Sequence, residues 1–409
     1  MLFLLAAALQ SQYSCKKDNS GAPVVKRVRL LDSTARDSFF IKALPGTAIV
    51  IQGANFDGLM SVSFNNLPAA VNTALSSATN ILVRIPANTP TPATDPNVPN
   101  QIKVVTSHGQ ATYSFTVVPP GPTISSTSNE NAVSGQTITI TGSNFYSLSN
   151  IQFPGNINVT AFTVSPDATQ VTVTVPAGIT TGDSLRFTGK YGNGSSTFIF
   201  DNYLSSSTGY LANFDNGPYF GWQYWGGNKT SDGSLFPGNT GAYIEVHPVN
   251  TPITAGDGGW YSDNRAVMVA AGAWVGPNNM SDPISNYALK FEVSVSSPWT
   301  AGSMIIRSSA LQDDKKTWAY LARYAPWETA PANKFVTTGW VTVTIPLTQF
   351  LSTATGNSAY NSSGTTAANF AALMGGTSSE CDLMLINDGK TALTAFDAAF
   401  DNVRIVKVN

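Results

Sequence analysis

Charge is scarce in this 409-residue sequence: Asp, Glu, Lys and Arg together make up 11% of it, against roughly 25% in ordinary soluble domains. The 22 basic and 24 acidic side chains leave a formal net charge of -2, so the chain as a whole offers no basic field to gather nucleic acid or an anionic membrane. Histidine occurs twice, as His108 in Ser-His-Gly and His247 in Glu-Val-His-Pro. No G-x-S-x-G elbow accompanies either, which argues against a His-dependent hydrolytic triad. Two cysteines, Cys15 and Cys381, cannot build a disulfide framework, and Cys381 in the strand-like Cys-Asp-Leu-Met-Leu reads as a small buried hydrophobe. Beyond the first residues no apolar run approaches the roughly 18 positions that a membrane-spanning helix needs. Tryptophan is missing from the first 203 residues. What is present is 42% hydrophobic residues, more than a disordered chain carries, over a length that suggests roughly two to four domains.

Residues 2–9 read LFLLAAAL, and polar Gln10 to Ser14 separate them from Cys15. An apolar stretch of this size is that of a secretory leader. With the cysteine that follows, it resembles a bacterial lipoprotein signal, cut before Cys15, which is then acylated. Lys16 to Ser20 would begin a tether, so residues 1–23 are read as signal and tether. The alternative is an ordinary signal peptide with an incidental cysteine.

An internal repeat organises the next 180 or so residues. Gly46 to Phe56 (GTAIVIQGANF) matches Gly135 to Phe145 (GQTITITGSNF), Phe64 matches Phe153, and Val83-Arg-Ile-Pro-Ala87 matches Val173-Thr-Val-Pro-Ala177. Thr137 to Thr141 and Val171 to Val175 alternate with period two, the pattern of strands with one buried and one wet face. In Gly53-Ala-Asn-Phe56 and Gly142-Ser-Asn-Phe145, Gly and Asn are expected to take the positive φ of a tight turn and the Phe to return to the core. Two tandem β-sandwiches follow, over residues 24–120 and 121–203. The first carries a proline-bearing insertion, Asn88 to Asn100, expected as a surface loop. Pro119-Pro-Gly-Pro122 separates the copies and should stiffen their junction. The order of strand, G-x-N-F turn, further strand and V-x-[VI]-P-A resembles the immunoglobulin-like IPT/TIG family.

All eight tryptophans lie beyond residue 203. There Tyr287 to Val295 and Val341 to Ile345 alternate as half-buried strands, and a short helix is expected within Thr365 to Met374, with Phe370, Leu373 and Met374 on one face. Some 200 residues with many short strands point to a jelly-roll sandwich over 204–409, and to an all-β protein overall.

The acids of this last domain are scattered, and no two pair by motif as glycosidase carboxylates would. Glu292 could face solvent or a groove, and Asp313-Asp-Lys-Lys316 reads as a charged turn. Asp215-Asn-Gly217 and Asp401-Asn402 hold oxygens of the kind calcium prefers, but both are equally turn or strand-edge signals. No metal or other cofactor is assigned. The aromatic segments say more. A sugar ring presents apolar C–H faces and a rim of hydroxyls, so its site needs flat rings with polar groups beside them. Phe220 to Asn228, Gly258 to Asn264 and Trp318 to Trp327 supply that mixture. Trp340 reads as core; Trp222 and Trp274 fit either role. Two or three stacking rings would contribute roughly 4 to 8 kcal/mol before ordering costs, which is about micromolar to millimolar affinity.

Lipoprotein signal, tandem IPT/TIG sandwiches and a Trp-rich domain with Trp299-Thr-Ala-Gly-Ser-Met-Ile-Ile, Arg323-Tyr-Ala-Pro-Trp327 and Gly339-Trp-Val-Thr-Val resemble the type B surface glycan-binding proteins of Bacteroidetes polysaccharide utilisation systems. The resemblance implies a non-catalytic outer-membrane lipoprotein that holds a β-glucan or xyloglucan near a transporter complex and surface glycanases, with the IPT/TIG repeats as spacers. Mapped here, the family's aromatic platform favours Trp225, Trp260 and Tyr261, with Trp299, Tyr324 and Trp327 as alternates. A structural adhesin is the rival reading, since it explains the repeats equally well, and a glycoside hydrolase is the third.

Overall fold

The computed structural model describes residues 21–32, 38–201, 209–215, 224–225, 227–239, 241–246, 253–255, 267–309, 320–352, 364–377, 379–387 and 389–408. Strands dominate them, and among the described residues the single α-helix is Phe370–Met374. The chain divides into two compact units, residues 1–121 with 189–192 and residues 122–188 with 193–409.

The first unit is a small sandwich. One sheet runs Val24–Leu30, Ala48–Ala54, Asn80–Arg84; the other runs Leu67–Ala69, Leu59–Phe64, Gln101–Thr106, Gly109–Ser114. Alternate positions such as Ile49 and Ile51, Val62 and Phe64, and Ile102 and Val104 meet in one core, as period-two patterning requires. The 88–100 insertion contains no strand, and Thr89, Thr91 and Val98 within it are buried. His108 occupies the turn between Gln101–Thr106 and Gly109–Ser114.

The second unit joins the second sandwich to the Trp-rich domain. The sandwich repeats the first, with Thr123–Thr127, Thr137–Ser143, Gln170–Thr174 and Phe162–Val164 facing Ile157–Val159, Leu148–Phe153, Arg186–Gly189 and Gly192–Ser195. The repeated turn works differently from the expectation at its glycine. Asn55 and Asn144 do take φ 60°, and Phe56 and Phe145 are buried. Gly53 and Gly142, however, are strand residues pressed on the neighbouring strand: a Cβ would stand 1.9 Å from the Val24 carbonyl oxygen and 2.0 Å from that of Thr123. Glycine is required there by close approach, not by its dihedral freedom.

In the Trp-rich domain two six-stranded sheets enclose one core. The first orders Gly227–Thr230, Tyr243–Val246, Asp397–Lys407, Tyr287–Ser297 and Val341–Pro346, with Tyr210–Ala212 also paired to Asp397–Lys407. The second orders Tyr224–Trp225, Val267–Gly272, Ser379–Ile386, Ser303–Ser309, Tyr320–Tyr324 and Leu351–Ser352. The helix buries Phe370, Leu373 and Met374, is capped by Asn369 Oδ1 accepting from the Ala372 N–H at 2.9 Å, and ends at Gly375 with φ 68°.

The strand expected to be half-buried is covered on both faces, since Tyr287 through Val295 are all buried. Leu289, Phe291, Val293 and Val295 enter the core, while Lys290 and Glu292 meet the second sandwich. Glu130 pairs with Lys290 through Oε1 and with Arg404 through Oε2 at 2.8 Å. Glu292 holds Arg404 with both oxygens, at 2.8 and 2.9 Å, and accepts from Asn131 Nδ2 at 2.9 Å. Thr342 closes the seam: its Oγ1 accepts from the Glu130 N–H and donates to Glu292 Oε1, and its own N–H donates to the Ser128 carbonyl, each at 2.8 Å. Two acids and two bases are thus buried together and balance one another.

Candidate functional site

The sheet that begins with Tyr224–Trp225 has a core face and an outer face. Met304, Ile306, Ala322, Cys381, Leu383 and Leu385 belong to the core. The intervening positions Ile305, Arg307, Leu321 and Arg323 therefore lie on the outer face. Register brings candidate residues into line on it. Trp225 pairs with Val267, Val267 with Met384, Met384 with Ile305 and Ile305 with Arg323, so Trp225 stands in one cross-strand row with Arg323. The neighbouring row on that face holds Val269, Asp382, Arg307 and Leu321. Arg307 is buried. Arg323 is partly open and donates through Nη2 to Glu328 at 2.9 Å.

Three further aromatic segments adjoin strands of this sheet in chain order. Segment 216–223, with Trp222, leads into Tyr224–Trp225; segment 256–266, with Trp260 and Tyr261, leads into Val267–Gly272; segment 310–319, with Trp318, links Ser303–Ser309 to Tyr320–Tyr324. Trp260 and Tyr261 themselves lie outside the described residues, as do His247 and Asp313 to Lys316, and Trp225 is placed through its backbone.

Trp299, Tyr324 and Trp327 come together beside the sheet end at Ser303. Trp299 is fully buried: its indole N–H donates to the Ala301 carbonyl at 2.9 Å, and its ring meets Tyr324 at 5.7 Å and Phe396 at 5.0 Å, both edge-on. It is a core residue, with neither ring face open to a sugar, and the expectation of a platform there is corrected. Tyr324 is half-buried and also packs edge-on to Phe291 at 5.7 Å; burial pushes its phenol well above its ordinary value. Trp327 sits in the turn Pro326–Glu328, donates its N–H to the Gly302 carbonyl at 2.7 Å, and keeps part of its ring accessible. Of the undecided tryptophans, Trp274 is buried against Phe350. Trp340 packs with Phe236 and Tyr243 and donates to the Phe236 carbonyl at 3.1 Å.

The acids behave as structural groups. Glu292 is engaged by Arg404, as above. Asp401 is buried, its Oδ1 accepting from the Asn402 N–H at 2.7 Å, and burial above all holds its carboxyl well above the usual range. Asp215 Oδ1 accepts from the Ala242 N–H at 2.5 Å. Arg307, Arg323 and Glu328 are the polar groups that sequence reasoning passed over. Arg323 stood inside, and Glu328 directly after, an aromatic segment read for its rings, and Arg307 ended the run Met-Ile-Ile-Arg, whose alternation would have set it opposite the core residues Met304 and Ile306.

Comparison with known proteins bears on this domain directly. Residues 204–407 match the surface glycan-binding protein B xyloglucan binding domain, and residues 37–117 match the IPT/TIG domain. An IPT/TIG domain-containing protein of Bacteroides ovatus is 27% identical over 193 residues, 44% of this chain and 40% of that one, so the chain aligns with less than half of that curated relative's length. Among solved structures, a surface glycan-binding protein B from Prevotella bryantii is 24% identical with a TM-score of 0.66, covering 95% of this chain and 99% of its own. The corresponding protein from a complex xyloglucan utilization locus in Bacteroides uniformis is 20% identical with a TM-score of 0.52, covering 94% and 99%. These two show the same fold.

Proposed function

Since this chain belongs to the surface glycan-binding protein B family, we propose that it is a non-catalytic receptor that holds a β-glucan of the xyloglucan class across the outer face of the sheet containing Trp225. One observation carries the reading: register sets Trp225 in a row with Arg323, on the sheet into which the Trp260 and Trp318 segments also feed. Rings along such a face stack on the apolar sides of successive sugars, while Arg323 and Glu328 offer a donor and an acceptor to their hydroxyls. The match of residues 204–407 to a xyloglucan binding domain supports the ligand class. The engagement of Glu292 by Arg404 supports a binding role over hydrolysis, because it takes a strand carboxylate away from chemistry.

Acylation at Cys15 would display the receptor at the outer membrane, where a transporter complex and surface glycanases are the partners that consume the captured chain. Trp225, Trp260 and Tyr261 form the platform in this reading, with Trp327 at its edge; Tyr324, an alternate in the sequence, pairs with the core residue Met304 and packs on Phe291 and Trp299, on the opposite face of the sheet. Affinity electrophoresis of the full chain in xyloglucan, mixed-linkage β-glucan, mannan and α-glucan tests it. Retardation in one β-glucan, lost in Trp225→Ala and in Trp260→Ala with Tyr261→Ala, supports the proposal. A folded chain retarded in none of them would shift the assignment to an adhesin. Release of reducing sugar on prolonged incubation would overturn the non-catalytic role.

A further inference from the structure

The formal charge of -2 is unevenly spread. Residues 1–50 hold seven Lys or Arg and three Asp, a net +4, whereas residues 51–409 hold 15 basic and 21 acidic residues, a net -6. The basic end also carries the most exposed aromatic side chain among the described residues. Phe39 and Ile41 are 61% and 65% exposed. They flank Phe40, whose ring turns inward to Phe115 at 6.1 Å and whose N–H donates to the Val28 carbonyl at 3.2 Å. The Ile41 carbonyl accepts from the Thr116 N–H at 2.8 Å. The segment is tied on both sides and Phe40 is half-buried against the core, while Phe39 and Ile41 on either side of it stand exposed. Leu30 and Leu31, at the end of the edge strand Val24–Leu30, are exposed as well. The Arg27 guanidinium lies 5.1 Å from the Phe39 ring centre, and Lys26 and Lys42 are exposed. An apolar ridge with basic side chains around it is the composition that settles into a lipid headgroup layer.

We propose that this ridge docks on phosphate-bearing lipid headgroups of the membrane that carries the protein, as a non-covalent contact beside the acylated Cys15. The proposal rests on the anchoring reading: Cys15 precedes Gly21 by six positions, a reach of about 20 Å, which keeps the first sandwich close to the membrane surface. A single lipid attachment is reinforced by a basic patch, each Lys or Arg near an anionic surface raising the partition constant about fivefold. Two membrane contacts fix how the first sandwich stands on the surface, which a flexible tether alone does not do.

The test is co-sedimentation of an unacylated chain without leader or Cys15, residues 16–409, with vesicles of phosphatidylglycerol and phosphatidylethanolamine in equal parts, and with neutral phosphatidylcholine vesicles. The expected result is binding to the anionic vesicles alone, reduced at least about tenfold by Phe39→Ser with Ile41→Ser, and lost with Arg27→Glu and Arg29→Glu. Melting temperature and xyloglucan retardation should stay unchanged in each variant, which separates this surface from the glycan site. Equal sedimentation of native chain and variants, or no preference for anionic lipid, overturns the proposal. A dimer seen by light scattering and abolished by the Phe39 and Ile41 substitutions also overturns it, assigning the ridge to a second copy. Palmitate labelling of cells reads the anchor separately: absence of label rejects the Cys15 reading, whatever the vesicles show.

Discussion

Replacing Glu130 by alanine is predicted to be among the most damaging single changes in the second unit, although Glu130 belongs to the second sandwich and lies outside the glycan-binding domain. In the native seam Glu130 and Glu292 neutralise Lys290 and Arg404, and all four side chains are 8% exposed or less. The two carboxylates outweigh the burial of Arg404 and hold its guanidinium more firmly charged than in water. Without Glu130, one carboxylate faces two buried cations, and the Arg404 Nη2 and Lys290 Nζ groups each lose an acceptor. Removing one partner of a buried ion pair costs about 3–5 kcal/mol, mostly the penalty of the charge left behind. For a unit of this size that is a fall in melting temperature of roughly 10 °C. Urea denaturation followed by tryptophan fluorescence reads the effect, because all eight tryptophans lie in this unit. Glu130→Gln should show most of the same loss, and adding Lys290→Met to it should recover part, since the pair then balances again. A loss below about 0.5 kcal/mol for Glu130→Ala would refute the reasoning, as it would make the seam no more than a surface ion pair.

Trp299→Ala should lower stability by about 3–5 kcal/mol through cavity formation, whereas Trp225→Ala should leave the melting temperature unchanged and weaken xyloglucan binding about tenfold or more, one base-like stacking contact being worth about 1–3 kcal/mol; paired calorimetric and titration runs check both. Gly142→Ala should cost about 1–3 kcal/mol in thermal unfolding, because its Cβ would collide with the Thr123 carbonyl. Asp401 has its pKa raised by burial, so the folded chain takes up its proton before the unfolded chain does. Stability should therefore rise as pH falls from neutral towards about 4, and Asp401→Asn should flatten that rise in urea midpoints. Asp282 is shifted the other way, chiefly by the Tyr287 hydroxyl donating to it at 2.5 Å. Its contribution is present above about pH 4 and is lost as pH falls through its lowered value, a loss that Asp282→Asn should remove.

Much of the fold was legible because it rests on local periodicity. Alternation in Thr137 to Thr141 and Val171 to Val175, the repeated G-x-N-F, and the apolar face of Phe370, Leu373 and Met374 each report a constraint that neighbouring residues share. Close approach between strands is not local, so the reason for Gly53 and Gly142 lay in a carbonyl about 30 or 20 residues earlier in the chain. The same limit hid the seam. Lys290 and Glu292 look solvated beside Leu289 and Phe291, and nothing near them in sequence announces Glu130. For the site, composition located the domain and its aromatic segments but did not separate rings by role. Trp299 is surrounded by Pro, Thr, Ala and Gly as a loop platform would be, yet it closes the end of the core against Phe396. Arg307 and Arg323 became visible only when pairing register set them on the face opposite Met304 and Ile306.

Isothermal titration of the full chain with xyloglucan oligosaccharide, beside Trp225→Ala and Trp299→Phe, tests the central claim most directly. The account predicts micromolar-to-millimolar binding that collapses with Trp225→Ala and survives Trp299→Phe in a folded protein. Binding that survives Trp225→Ala but is lost with Trp299→Phe would contradict the placement of the glycan on the outer face of this sheet.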